Sequence, residues 1–305
     1  MPDQLSLFPT QESPEDLNLV LESEQNAIDE MFLAGRLYRS SVEYFDLIHF
    51  IARLPKYSAF NGLLLYLQNR NITYVSTAGN WQQQFGRRPK FNARPLIILA
   101  PMSPIRFVYD IYDTEGETIT SDQLKSLAAK EKFSKDIYEK TISNCKFHGI
   151  AVRESLSAVK DIDNVLALTY ETRKRYENLN IESWAKYLIF INLQDSNGDK
   201  YARLALGLGH IFCGHLGIDD SSWWQDRRDA DQNKAAIEAQ SAAYLVCLRK
   251  GLIKPSEKFL SPYNRVETEM PAFSLNAVFH ATHYIEDMGK NRWKAAKRKS
   301  RYKQE

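Results

Sequence analysis

Charge is sorted along this chain of 305 residues in a way that limits where a core can form. Residues 1–30 hold eight acidic residues and no Lys or Arg, whereas residues 289–305 hold eight basic residues against one acidic. Blocks of like charge repel themselves and resist collapse, so both ends read as disordered arms. The formal net charge of +2 hides this, because the arms nearly cancel. A basic arm suits nucleic acid; the pair of arms suits solubility or mutual attraction equally well. The fold must come from the residues between, and 44% hydrophobic and 12% aromatic content suffices for real cores. A chain of this length makes two domains or one large decorated one.

Three cysteines (Cys145, Cys213, Cys247) stand at no metal-knuckle spacing, which argues against a disulfide framework and fits a reducing cytoplasm. The opening "MPDQLSLFPTQESPED" is acidic and polar rather than a charged-then-apolar leader. Apolar runs such as "GLLLYL" and "PLIILA" are too short to span a bilayer, so no membrane partner is expected. Helical periodicity predicts helices from about Leu19 to Asn71. Strands follow at "ITYVST", "PLIILAP" and "RFVYDIYD", then a charged linker over 116–135. Further on come strands "HGIAVRE" and "YLIFINL", and helices over Lys200–His215, Gln232–Gly251 and Leu275–Met288. The expected class is α+β.

Between two of the strands lies "NWQQQFGRRPKFNARP", read as a basic turn. Arg87, Arg88, Lys90 and Arg94 are interleaved there with Trp81, Phe85 and Phe91. Cations can track a phosphate backbone while flat rings stack on bases, which suits single strands. Solvated cations over core aromatics would make the same pattern. The stretch Tyr57–Pro101 resembles the N-terminal domain of ArdC-type antirestriction proteins, through Ser58, Asn61, Trp81, Gly86, Arg87, Arg88, Lys90 and Pro101. That resemblance implies single-stranded DNA as partner, contacted by Trp81, Arg87, Arg88, Lys90 and Arg94. The basic tail, with Arg292, Lys297, Arg298 and Lys299, would add to the contact. Asn92 stands where the family has its second Gly; Asn tolerates a left-handed turn better than other non-Gly residues.

In "LALGLGHIFCGHLG", His210 stands like the second His of an H-E-x-x-H zinc-protease helix, but Leu206 and Gly207 occupy the first His and the Glu. The region Lys186–Gly251 resembles the ImmA/IrrE metallopeptidases, and Glu238, in "AIEAQSAAYL", matches their third ligand. The resemblance implies a zincin-like domain over 136–288, following an ArdC-like domain over 19–115. A hydrolytic zinc site needs three protein ligands, an open position and a base. Gly207 supplies no base, so no catalytic residue is assigned. On a continuous helix His215 lies about 140° from His210 and is set aside. Cys213, at i+3, shares the face of His210 and offers a soft ligand. No cofactor is expected, and zinc enters only if His210, Cys213 and Glu238 form a rebuilt site. The competing reading packs Leu206 into the old metal cavity and pairs His210 with Glu238.

"QLSLF" in the acidic arm (1–18) resembles the peptide by which bacterial proteins dock on the DNA sliding clamp, with Gln4, Leu5, Leu7 and Phe8 as contacts. Folding back onto the protein's own core is the alternative. His280 and His283 share a helix face near Glu286, and Trp223 and Trp224 read as a lid beneath a polar loop. The expectation is a cytoplasmic, DNA-associated protein of antirestriction type with a catalytically inactive metallopeptidase-like half. A metallopeptidase with a rebuilt site, or a clamp-docked interaction protein, are the alternatives.

Overall fold

The computed structural model describes residues 40–100, 103–120, 122–123, 132–155, 164–218, 222–256, 258–263, 267–291 and 293. The acidic arm with its QLSLF peptide, Pro101, Arg292 and Lys297–Lys299 lie outside them. Helix α1 (Ser41–Arg53) starts where the Ser40 hydroxyl accepts from the amide of Glu43. It buries Tyr44, Leu47, Ile48 and Ile51, one stripe at helical spacing. Helix α2 (Ala59–Gln68) is capped likewise by Ser58 on Asn61. A three-stranded antiparallel sheet follows, in the order β1 (Val75–Ser76), β4 (Ser103–Asp110), β3 (Leu96–Ala100).

The open edge of β3 is closed by side chains. Asn61 exchanges two hydrogen bonds with the backbone of Leu99 (2.9 and 3.0 Å). Gln68, two turns further along α2, does the same for Ile97 (2.7 and 2.8 Å). An unpaired strand edge invites other chains, and these two amides block it. Leu96 and Ile98 point into the core, and Ile97 and Leu99 point out.

The expected basic turn begins as a helix, α3 (Ala78–Phe85). It ends at Gly86 in the left-handed region (φ 60°), and β2 (Arg87–Pro89) then pairs with β5 (Thr114–Gly116). The first residue of the expected linker, Gly116, therefore belongs to a ladder. After α4 (Lys135–Cys145), a second sheet has the order β6 (Ile150–Ser155), β8 (Tyr187–Asn192), β7 (Val165–Ala167). Strand β6 is parallel to β8 and β7 antiparallel. A short helix, α5 (Tyr170–Arg175), precedes β8, whose residues Tyr187–Ile191 are all buried, as a strand covered on both faces must be.

Helices α6 (Asn197–Phe212), α7 (Gln232–Arg249), the short α8 (Ile253–Ser256) and α9 (Leu275–Lys290) complete the fold. Helix α6 lies against β8, and its Gly209 lies so close to α7 that a Cβ would stand 2.8 Å from the Ala239 carbonyl oxygen. Helices from the two halves share one core, which runs from Tyr44 to Met288. At the junction Phe45 meets Tyr244 edge-on, and His49 Nε2 lies 2.9 Å from the Tyr244 hydroxyl. The mixture of helix and separate small sheets is an α+β architecture. Among the described residues, no helix is long and apolar enough to cross a membrane.

Candidate functional site

Helix α6 ends at Phe212, three residues earlier than the sequence predicts, because Gly214 takes a left-handed conformation (φ 81°). Only glycine fits there: a Cβ would lie 1.9 Å from the Gln225 carbonyl oxygen. The turn folds His215 back toward the helix it has left. The helical projection that set His215 aside therefore fails, since its premise is a helix continuing through position 215.

The result is a buried polar cluster. His215 Nε2 lies 2.9 Å from Glu238 Oε2, and its Nδ1 lies 3.2 Å from Nδ1 of His210. Glu238, fully buried on α7, also receives Arg227 in a two-pronged pair, Nη1 to Oε2 at 2.6 Å and Nη2 to Oε1 at 2.8 Å. The Ser274 amide donates to Oε1 as well (2.7 Å). Burial alone would raise the Glu238 pKa, but the bonds from His215 and Arg227 pull it below the ordinary carboxylate value. Burial lowers His210 to about 3, so it is neutral at physiological pH, and the neighbouring His215 pushes the same way.

The residues do not fit a resident zinc ion, and the reason is Arg227. Among the described residues, the ligand atoms of Cys213, His215 and Glu238 lie within 4.8 Å of one another. Both oxygens of Glu238 are already committed to a guanidinium, and burial holds the Cys213 thiol well above its ordinary pKa. The set of His210, Cys213 and Glu238 is changed too, since His210 turns its Nδ1 to His215. At position 207 a Cβ would come within 3.0–3.1 Å of Ile189 on β8, so a glutamate base there would have to displace a core side chain. Leu206 packs against the core. The cation of this cluster is Arg227, which no sequence pattern marked in the loop "WWQDRRD". Trp223 and Trp224, from the same loop, pack into an aromatic cluster, Trp223 stacked on Tyr284 and Trp224 edge-on to Phe212.

The basic stretch divides by burial. Trp81 is 0% exposed, donates its indole N–H to the Tyr109 carbonyl (2.9 Å) and packs on Phe85. A ring so placed cannot stack on a base, and Trp81 is corrected to a core residue. Arg87 is likewise structural. It donates Nε to the Thr114 hydroxyl (2.9 Å), Nη1 to the Glu117 carbonyl (2.6 Å) and Nη2 to the Thr114 carbonyl (2.7 Å). Arg88 is exposed and touches Glu115 at 3.2 Å, while Lys90 donates to the Tyr112 carbonyl (2.7 Å). Arg94 is exposed, and Phe91 is 100% exposed. Asn92 does not use the left-handed region; the turn closes through the Ala93 amide on the Lys90 carbonyl (3.0 Å).

No family profile matches the chain, and no curated protein matches it. Among solved structures it aligns with the metal-free crystal structure of the antirestriction ArdC protein from the R388 plasmid, at 12% identity and a TM-score of 0.35. The alignment covers 80% of this chain and 95% of that one. An overlap at that score and identity carries no weight for fold or function.

Proposed function

We propose that this chain is a cytoplasmic, DNA-associated protein of the antirestriction type that binds single-stranded DNA through its first half. The observation that carries the proposal is the loop after β2. A fully exposed Phe91 stands there among exposed Arg88, Lys90 and Arg94, above a base made rigid by buried Trp81 and the triply bonded Arg87. An exposed ring with cations on either side is the pairing that grips unpaired bases and their phosphates. The loop leads directly into β3, whose outward face carries Ile97 and Leu99 and continues across the ladder to Phe107.

In this reading the second half is a non-hydrolytic scaffold or partner-binding module. Its supports are Gly207 in place of a general base and Arg227 in place of a metal cation. Docking of Gln4, Leu5, Leu7 and Phe8 on a sliding clamp would bring the protein to replicating DNA, and rests on the peptide alone.

Replacing Arg88, Lys90 and Arg94 with Glu tests the binding role. Affinity for single strands should fall, and the slope of log K against log salt should flatten by about two, at roughly 0.7 per lost phosphate contact. If neither quantity moves in a folded variant, the assignment is lost.

A further inference from the structure

A cavity of about 310 Å³ opens between the α1–α2 turn, β1, β4 and α3. That is the lower end of the range for clefts that hold small molecules. Its charged lining is all of one sign: Arg53, Lys56 and Arg106, with no carboxylate among the described lining residues. Tyr57 and Tyr74 add aromatic walls. Asn80 and Gln84 line it from α3, four residues apart and so on one helix face. A second cavity, about 260 Å³, lies across the same Pro55–Tyr57 ridge and adds Lys250, His283 and Lys290. Its carboxylate, Glu286, is matched by Arg249 at 2.7 Å.

The ridge between them is held from below. Arg249 donates Nη2 to the carbonyls of Pro55 (3.0 Å) and Tyr57 (2.6 Å). The Tyr57 hydroxyl donates to the Val75 carbonyl (2.7 Å), fixing the ring as a wall. Exposed Lys56 therefore stands on a rigid crest with cationic hollows on both sides.

We propose that these two hollows form one nucleotide-binding groove. A base and its sugar enter the first cavity between Tyr57 and Tyr74, their phosphate held by Arg53 and Arg106. The next phosphates cross Lys56 toward Lys290. The primary amides of Asn80 and Gln84 can each donate and accept, which is what the edge of an unpaired base requires. An acidic peptide would use the cations but leave the aromatic walls and amides without a purpose. The groove deepens the single-strand reading and rests on it, and it lies on residues other than those of the Arg88–Arg94 loop.

The test uses the full chain, with fluorescence anisotropy on a labelled oligo-dT of about six nucleotides and unlabelled dTMP, inorganic phosphate and polyglutamate as competitors. Arg53→Glu with Arg106→Glu should weaken the hexamer by about tenfold or more while circular dichroism and the melting curve stay native. Should charge reversal unfold the chain, Arg53→Gln with Arg106→Gln reads the same loss. dTMP should compete and inorganic phosphate should compete poorly. If dTMP binds but no strand does, the groove takes a free nucleotide and strand binding falls. If the hexamer survives these changes and is lost on changing Arg88, Lys90 and Arg94, the groove is overturned and strand binding stands. Equal displacement by polyglutamate would overturn the groove as a nucleotide site, and a wild-type chain that binds no nucleotide in any form would overturn both readings.

Discussion

At the scale of single residues, the second half turns on the pairing of Arg227 with the buried Glu238. Arg227 neutralises Glu238 in a buried, two-pronged geometry, where removing one partner leaves a charge with no solvent and costs roughly 3–5 kcal/mol. Arg227→Ala should therefore lower the melting temperature by about 10 °C, taking a few degrees per kcal/mol for a chain of this size. The same change removes the guanidinium from both Glu238 oxygens and leaves Oε1 with the Ser274 amide and Oε2 beside His215, so zinc should bind the variant and not the wild type. Metal analysis after dialysis against zinc, with Arg227→Ala, His215→Ala as the control, reads this directly; equal zinc in wild type and variant would show that Arg227 does not block the site. His210 was marked in the sequence by a partial H-E-x-x-H pattern, and Glu238 by the resemblance to a metallopeptidase third ligand. His215 was set aside by a projection that assumed a helix through position 215, which the turn at Gly214 ends, and Arg227 was hidden because it sits in a loop off any periodic segment.

At the scale of elements, apolar periodicity located most helices and strands, and it missed where spacing was sparse. Helix α3 shows only two large apolar side chains, Trp81 and Phe85, yet these stand four apart, the spacing of one helix face. Two glycines on α6 separate local propensity from packing. Gly209→Ala gains helix propensity of about 1 kcal/mol, but its methyl meets the Ala239 carbonyl at 2.8 Å, and a backbone cannot move aside cheaply. A net loss of about 1–3 kcal/mol is expected. Gly207→Ala meets side-chain rather than backbone atoms first, the Ile189 methyls and methylene at 3.0–3.1 Å, and should change stability by no more than about 1 kcal/mol. Urea unfolding of the two variants checks this ordering, and equal losses would refute the close-packed interface at Gly209. The amides of Asn61 and Gln68 likewise act at a distance, closing a strand edge 38 and 29 residues away in sequence.

At the scale of the whole molecule, α1 and α2 belong by sequence to the first unit and by packing to both. Tyr44 packs edge-on to Phe273, and Phe60 on Phe279 of α9, within a core that continues to Met288. Such a shared core predicts one cooperative unfolding transition, with calorimetric and van't Hoff enthalpies in agreement. Two separated transitions would mean that the halves fold alone. The sequence by itself determined the charged arms, the α+β class, most element positions and the two helices that carry His210 and Glu238. All of these follow from composition and from periodicities within about ten residues. Only the tertiary structure decided that Trp81 is a core residue and Arg87 a half-buried support, that Arg227 answers Glu238, and that Arg53, Lys56 and Arg106 line one cavity. Burial and charge pairing are set by which distant segments meet, and a left-handed glycine or a capped strand edge redirects the chain in ways no local pattern records.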